Sequence, residues 1–314
     1  MFKTFLDPID PLQRLIESPN PKETLEQINN TSVVYLRPET AQGVFINYLY
    51  CLRFAGNKIP FGVAQLGKSF RNELRVEHMI FRTLEFEQME LQFFTLPKKA
   101  NEWFDVYVQK RMDWWFELVN NKELFRKRNH EDKELAHYAK ACTDVEFMFP
   151  WGWGELEGIA NRGDFDLKSH MNAYVIESSS GLNRACLAIL LDAFTIQQDR
   201  IILKLNPKIA PIKVGICPLI NKEEFNNIAE QLNSQFLIRN ISTRLLNQQL
   251  KIGKKYYRMD EIGTPYCITI DYQTLEDETV TIRFRDTQKQ IRVNINQVVN
   301  HIHEALNADI LMKL

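Results

Sequence analysis

Arg71, Glu73, Arg82, Phe86 and Glu90 are the residues whose types and spacing give this chain its clearest chemistry. In Phe70-Arg71-Asn72-Glu73, the two-residue repeat of a strand puts Arg71 and Glu73 on one face. On a returning strand, Arg82, Phe86 and Glu90 are spaced by four, an even number, so they share a face as well. The surface that results is cationic, aromatic and acidic at once. It suits a nucleotide, with adenine stacked on Phe86, an α-phosphate held by Arg71, and a positively charged or hydrogen-bond-donating group received by Glu90. An ordinary solvated sheet face also carries alternating charge, and only the wider constellation favours the nucleotide.

Two further segments belong to that constellation. Trp151-Gly152-Trp153-Gly154-Glu155-Leu156-Glu157-Gly158 is glycine-rich and acidic. Tyr174-Val175-Ile176-Glu177-Ser178-Ser179-Ser180-Gly181-Leu182-Asn183-Arg184 runs into an apolar helix over Ala185–Phe194. Small residues where a strand opens a helix let the backbone approach a ligand, and Arg184 falls in the first helical turn.

The elements that must position these residues begin with a loop-rich stretch over 1–30, broken by Pro8, Pro11, Pro19 and Pro21 and holding one short helix. Strands are expected at Val33–Leu36, Phe61–Leu74 and Met79–Phe94, with a helix over Thr40–Cys51. Residues 99–145 read as one or two helices whose Trp103, Tyr107, Met112, Trp115 and Phe116 serve the core. The pattern restarts near Asn206-Pro207, which sets domains of 1–206 and 207–314. The second alternates strands and helices: Lys213–Cys217, helix Lys222–Gln235, Tyr266–Tyr272, Thr279–Phe284, Gln290–Val293 and a final helix.

With 314 residues, 45% hydrophobic and 25% charged, the chain can bury two cores. It has no apolar run of the roughly 18 residues a membrane span needs. The start, Met1-Phe2-Lys3-Thr4, does not resemble a signal peptide, so a cytoplasmic address is expected. A net charge of −1 argues against nucleic-acid binding by bulk electrostatics, leaving room for a local basic surface. Cys51, Cys142, Cys186, Cys217 and Cys267 are scattered without a C-x-x-C pair and are expected to be buried thiols. Only His301 and His303 lie close together among the histidines, in the final helix, so no histidine is expected to ligate a metal.

Leu36-Arg37-Pro38-Glu39-Thr40-Ala41-Gln42-Gly43, Gly67 to Glu73 with Phe81-Arg82-Thr83 and Glu85 to Glu90, Gly152 to Leu156, Asn161-Arg162 and Gly181 to Arg184 occur in the order of a known family. With Asp260 to Cys267 and Thr274 to Asp277, they make the chain resemble the homodimeric glycyl-tRNA synthetases of class II over nearly its whole length. The resemblance implies an α+β fold: an antiparallel-sheet catalytic core, incomplete at its N-terminus, followed by a smaller α/β anticodon-binding domain. It also implies ATP-dependent activation of glycine to glycyl-adenylate and transfer to tRNA(Gly), with Mg2+ as cofactor and a homodimer or a complementing N-terminal chain as partner.

By the same resemblance, Arg71 and Arg184 are the catalytic cations, on the α- and γ-phosphates. Asn72, Glu73, Phe81, Arg82, Phe86, Glu155, Leu156 and Gly181 complete the ATP site, and Glu155 is the candidate Mg2+ ligand. Glu39, Glu90 and Glu177 surround the glycine ammonium, Arg162 meets its carboxylate, and Ser179 lies nearby. Departures accompany the matches. The first class motif, expected upstream of Met1, is absent, and Leu84 stands where the family usually has arginine. Arg75-Val76-Glu77-His78 lacks the usual proline-basic pattern, the stretch from His170 to Tyr174 is short, the loop before Gly253 is contracted, and Asn183 replaces an acidic residue. These changes keep a second reading open, a catalytically impaired relative that binds tRNA or a partner chain; an unrelated ATP-binding regulator leaves the C-terminal matches unexplained.

Overall fold

The computed structural model of the chain describes residues 1–137, 139–168, 173–197 and 200–311. It divides into two compact units, Met1–Asp113 with Glu123–Ala188, and Trp114–Lys122 with Ile189–Leu314. Residues 189–206 therefore cluster with the second unit, whereas the sequence reading grouped them with the first.

The first unit opens with β1 (Lys3–Phe5), α1 (Pro11–Glu17), α2 (Pro21–Thr31) and β2 (Val33–Tyr35), the two strands pairing antiparallel. This is one helix more than the sequence suggested. Pro11 and Pro21 start helices instead of breaking them, because the first helical position has no intrahelical N–H bond to lose. The single helix expected over Thr40–Cys51 is two short ones, α3 (Ala41–Ile46) and α4 (Tyr48–Phe54), meeting at Asn47.

β3 (Phe61–Phe70) and β4 (Glu85–Thr95) form the expected antiparallel pair but stop well short of its expected length. Residues 71–84 are loop, closed by a lone bridge between Glu77 and Arg82. His78 and Met79 take φ of +51° and +59°, which no strand allows. After α5 (Ala100–Leu118), the expected second helix is replaced by β5 (Phe125–Asn129) and β6 (Ala141–Phe149). Thr143, Val145, Phe147 and Phe149 repeat every two residues, and that strand period was hidden among charges. β7 (Gly152–Gly163) and β8 (Tyr174–Gly181) complete a six-stranded antiparallel sheet of order β3-β4-β8-β7-β6-β5.

Each face of this sheet has its own cover. Ala41, Val44, Phe45, Tyr48 and Leu52, at helical spacing on α3 and α4, pack on Phe94 of β4 and Val175 of β8. Phe93 and Ile176, which point the other way, receive Ala100, Trp103, Phe104 and Tyr107 from α5. The α5 aromatics thus serve the core, as expected. At Gly181 the chain passes from β8 into α6 (Leu182–Ala193), placing Arg184 in its first turn.

The second unit holds a ribbon of β9 (Phe194–Gln197) and β10 (Arg200–Leu203), then β11 (Val214–Pro218), α7 (Glu223–Ile238), β12 (Thr243–Leu245) and α8 (Ile252–Glu261). β13 (Tyr266–Ile270), α9 (Tyr272–Asp277), β14 (Thr279–Phe284), β15 (Gln290–Asn294) and α10 (Ile295–Leu311) follow. The sheet order is β12-β11-β13-β14-β15, with β11 parallel to both neighbours. β11 and β13 are buried at every position, as the centre of a sheet covered on both faces requires. β12, α8 and α9 went unseen in the sequence, being short or strongly charged.

Of the cysteines, Cys217 and Cys267 are buried; Cys51 and Cys142 are half-buried and Cys186 is exposed, contrary to expectation. No helix of the described residues is long and apolar enough to cross a membrane.

Candidate active site

Strand alternation and register lay out one strip of polar residues across the first unit's sheet. Phe86, Gln88, Glu90 and Gln92 point the same way from β4. Glu90 stands opposite Ser179 on β8, and Gln92 opposite Glu177. Ser179 in turn faces Gly158 on β7, and Gly158 faces Asp144 on β6. α3 and α4 cover the far end of this face, so the turn entering α3 brings Glu39 and Thr40 to the strip's edge.

Glu39, Glu90, Glu177 and Ser179 line a pocket of about 270 Å³ on this strip. Glu90 is 4% exposed. It accepts hydrogen bonds from Thr40 Oγ1 at 2.5 Å, Gln88 Nε2 at 2.7 Å and Ser179 Oγ at 3.2 Å. Burial, reinforced by Glu177 and Glu39, nevertheless raises its pKa to about 7, against the opposing pull of Thr40 and Ser179. Glu177 is also pushed up by burial, while Arg162 and Gln92 pull it down.

Arg162, which the resemblance assigned to the glycine carboxylate, is paired with two carboxylates of the protein. Its Nη1 donates to Glu177 at 3.1 Å, and its Nε and Nη2 form a two-point pair with Asp166 at 2.7 and 2.9 Å. It is absent from the described residues lining this pocket.

A second cleft, of about 110 Å³, adjoins the pocket. It brings together Arg71, Glu73, Phe81, Arg82, Phe86, Glu155, Leu156, Gly181 and Arg184. Asn72 is not among its described lining residues. Arg71, Glu73 and Arg82 arrive on the loop, not on the strand faces that the spacing suggested, so alternation does not explain their convergence. The Arg71 guanidinium lies 5.3 Å from the centre of the Phe86 ring, and its Nε donates to the Pro38 carbonyl at 3.1 Å. Arg184 donates from Nε to the Phe81 carbonyl at 2.9 Å and from Nη1 to the Glu155 carbonyl at 3.0 Å.

Glu155 and Leu156 both line this cleft although they are consecutive in the chain. Between them and β6 the register slips: Glu157 faces Val145, and Glu155 faces Glu146. The extra residue is a bulge, a device that re-aims a side chain. Enclosure raises the Glu155 carboxyl above its ordinary range, Asp144 adds to this, and Arg184 and Arg71 oppose it. Because the side chain is 53% open, water limits the rise.

The two cavities share Arg71, Gln88, Glu155 and Ser179. A cleft of cations and aromatics therefore opens onto a pocket of carboxylates, an arrangement that can hold an anionic nucleotide against a small cation.

Gln88 escaped the sequence reading. It is buried, accepts from Ser69 Oγ at 2.8 Å and donates to Glu90 and Ser179. Its place midway between Phe86 and Glu90 on one strand was the available signal. His130, Cys142 and Asp144 also converge, a grouping that the sequence reading did not find. His130 Nε2 is 2.7 Å from Asp144, and Arg128 Nη2 lies 3.5 Å from both, so an arginine cation already neighbours this carboxylate. Of the departures, Leu84 is exposed and its carbonyl accepts from the Arg71 N–H at 2.9 Å. Asn183 Oδ1 accepts from the Glu87 N–H at 2.9 Å, tying α6 to β4. Most of the short stretch after His170 lies outside the described residues.

Residues 213–305 match the family model described as an anticodon binding domain. A glycine–tRNA ligase of Borrelia hermsii is 42% identical over 306 residues, covering 89% of this chain and 68% of the relative. That of Borreliella burgdorferi is 44% identical with the same coverage. That of Caldanaerobacter subterraneus is 44% identical over 88% of this chain and 64% of its own length. Among solved structures, a prolyl-tRNA synthetase from Cryptosporidium parvum complexed with L-proline and AMP is similar with a TM-score of 0.65 and 18% identity. The match covers 88% of this chain and 59% of that one, and it bears on the fold alone. With this architecture and these relatives, the chain belongs to the glycine–tRNA ligase family.

Proposed function

We propose that this chain activates glycine with ATP and transfers it to tRNA(Gly). The observation that carries the reading is the junction of the two cavities at Arg71, Gln88, Glu155 and Ser179, where an amino-acid carboxylate and a nucleotide α-phosphate have to meet. A glycine carboxylate oxygen forms a bond to the α-phosphorus, the bond from that phosphorus to the bridging oxygen breaks, and pyrophosphate leaves. A terminal ribose hydroxyl of tRNA then attacks the glycyl carbonyl and AMP leaves.

The protein's part is positioning and charge neutralisation. Arg71 and Arg184 take the α- and γ-phosphates, Phe86 stacks on adenine, and Glu73 accepts from its amino group. Glu39, Glu90 and Glu177 receive the ammonium, and Ser179 orients Glu90. Arg162 holds Glu177. Glu155, an oxygen donor open to the cleft, fits a hard cation and would hold Mg2+, which neutralises phosphate charge when bound. Within this reading, 1–206 is the catalytic core and 207–314 the anticodon-binding domain that meets tRNA. A homodimer rests on the resemblance alone, and a cytoplasmic address on the sequence pattern alone.

Glycine-dependent exchange of labelled pyrophosphate into ATP tests the proposal, with alanine as control. Exchange with glycine and not alanine is the expected result. No exchange with either overturns it and leaves an impaired relative that binds tRNA or a partner.

A further inference from the structure

We propose that His78 and Trp151 are positioning residues: their stacked rings clamp the hairpin 77–82 over the nucleotide cleft. The inference rests on the ATP site proposed above but concerns groups given no role there. Trp151 lies at the tip of the β6–β7 hairpin, in a two-residue turn closed by Phe149 opposite Gly152. The imidazole of His78 stacks on its indole with ring centres 3.9 Å apart and planes within 4°. Phe149 stacks on the same indole at 4.9 Å and 9°. Phe81 meets Phe149 and Trp151 edge-on at 4.9 and 5.4 Å. Its ring also lies 4.4 Å beneath the Arg184 guanidinium, and its carbonyl accepts from Arg184 Nε. One aromatic cluster therefore joins the hairpin tip, the cleft loop and the cation of α6.

The backbone gives an independent reason for a clamp. His78 and Met79 are consecutive non-glycine residues with left-handed φ, a conformation that persists only where the surroundings over-determine it. The local bonds are the Glu77–Arg82 pair and Phe81 N–H to the His78 carbonyl at 3.1 Å. Otherwise the tip is exposed, and His78 leans on Trp151. Gly154 permits the fit, because a Cβ there would come within 2.9 Å of Phe149 and 3.0 Å of Phe81.

The test uses His78→Asn, which tolerates the left-handed backbone but removes the ring, together with Trp151→Ala and Trp151→Phe. In the unliganded protein, both ring-removing variants are expected to exchange the amide hydrogens of 77–82 faster than the wild type, while Trp151→Phe restores protection. Titration with ATP alone is expected to show a Kd raised roughly tenfold in the first two, about the value of one aromatic contact, with KM for glycine in pyrophosphate exchange unmoved. Unchanged hydrogen exchange in His78→Asn overturns the clamp. So does faster exchange without loss of ATP affinity, because the hairpin would then be ordered to no purpose at the cleft. Absence of ATP binding in the wild type defeats the functional reading instead, and hydrogen exchange still decides whether the clamp exists.

Discussion

The two adjoining cavities reach opposite electrostatic characters by opposite structural means. The carboxylate pocket is built on strands: Glu90 and Glu177 come from neighbouring central strands, are buried, and have their oxygens held by Thr40, Gln88, Gln92 and Arg162. The cleft has strand residues in its floor, but its cations come from the loop and the start of α6, with Arg71 and Arg82 exposed. Within the proposed function, a cage of fixed size can reject a larger amino acid, whereas exposed guanidinium side chains on a clamped backbone can still adjust to a polyphosphate.

If that contrast is correct, removing a cleft cation damages chemistry more than binding of the amino acid. Arg71→Ala and Arg184→Ala are each expected to lower the rate of pyrophosphate exchange about 10²- to 10³-fold, with the glycine KM changed little; unchanged rates would remove both from their roles. The pocket makes the opposite prediction. Below the Glu90 pKa of about 7 the carboxyl is neutral and attracts an ammonium less, so the KM for glycine is expected to rise on going from pH 8 to pH 6. The slope approaches about tenfold per unit at the acid end, and Glu90→Gln flattens the profile. The linkage sign runs the other way. Between the ordinary value of 4.5 and about 7 the folded chain keeps a proton that the unfolded chain has released, so Glu90's contribution to stability falls as pH rises.

Arg162 sharpens the comparison from within the pocket. Its guanidinium is committed to Asp166 and Glu177, and stripping it to alanine is expected to cost about 3–5 kcal/mol of stability, read by denaturant unfolding. The conservative Arg162→Lys is expected to raise the glycine KM several-fold, about the loss of one charge-assisted bond, without moving the ATP KM. Combined with Glu177→Gln, it should add little further. Full additivity would mean that Arg162 meets substrate directly. The smallest effect is a gain: Leu84→Arg adds a cation near the cleft and is expected to tighten ATP a few-fold, measured by titration.

The same contrast explains what could be read in the sequence. Phe86 and Glu90 were legible because a strand keeps its parity and both stayed on β4. Arg71, Glu73 and Arg82 do meet in one cleft, but not by strand parity, since their alternating charges imitate a strand where the backbone makes a loop. Nothing in their spacing encodes the left-handed turn at His78 and Met79. β6 was taken for helix because charges interrupt its apolar period, and with it went Asp144 and Cys142, which border the pocket. The bulge that brings Glu155 and Leu156 onto one side is a property of two strands in register, so one strand's sequence could not show it. The prolines of α1 and α2 misled in the simplest way, because the same residue breaks a helix inside and begins one at the edge.

The place of β8 in the sheet carries a consequence for how the molecule assembles. β3–β4 and β5–β6–β7 pair sequential neighbours, while β8, the last strand of this sheet in chain order, inserts between β4 and β7 and joins the two halves. Ser179 and Glu90, which meet across that joint, are 89 residues apart. Closing so long a loop is entropically costly, and such contacts form slowly and late. The mutual repulsion of Glu90 and Glu177 therefore arises only with the arrival of β8, so the carboxylate cage cannot exist on a growing chain until that strand has been made.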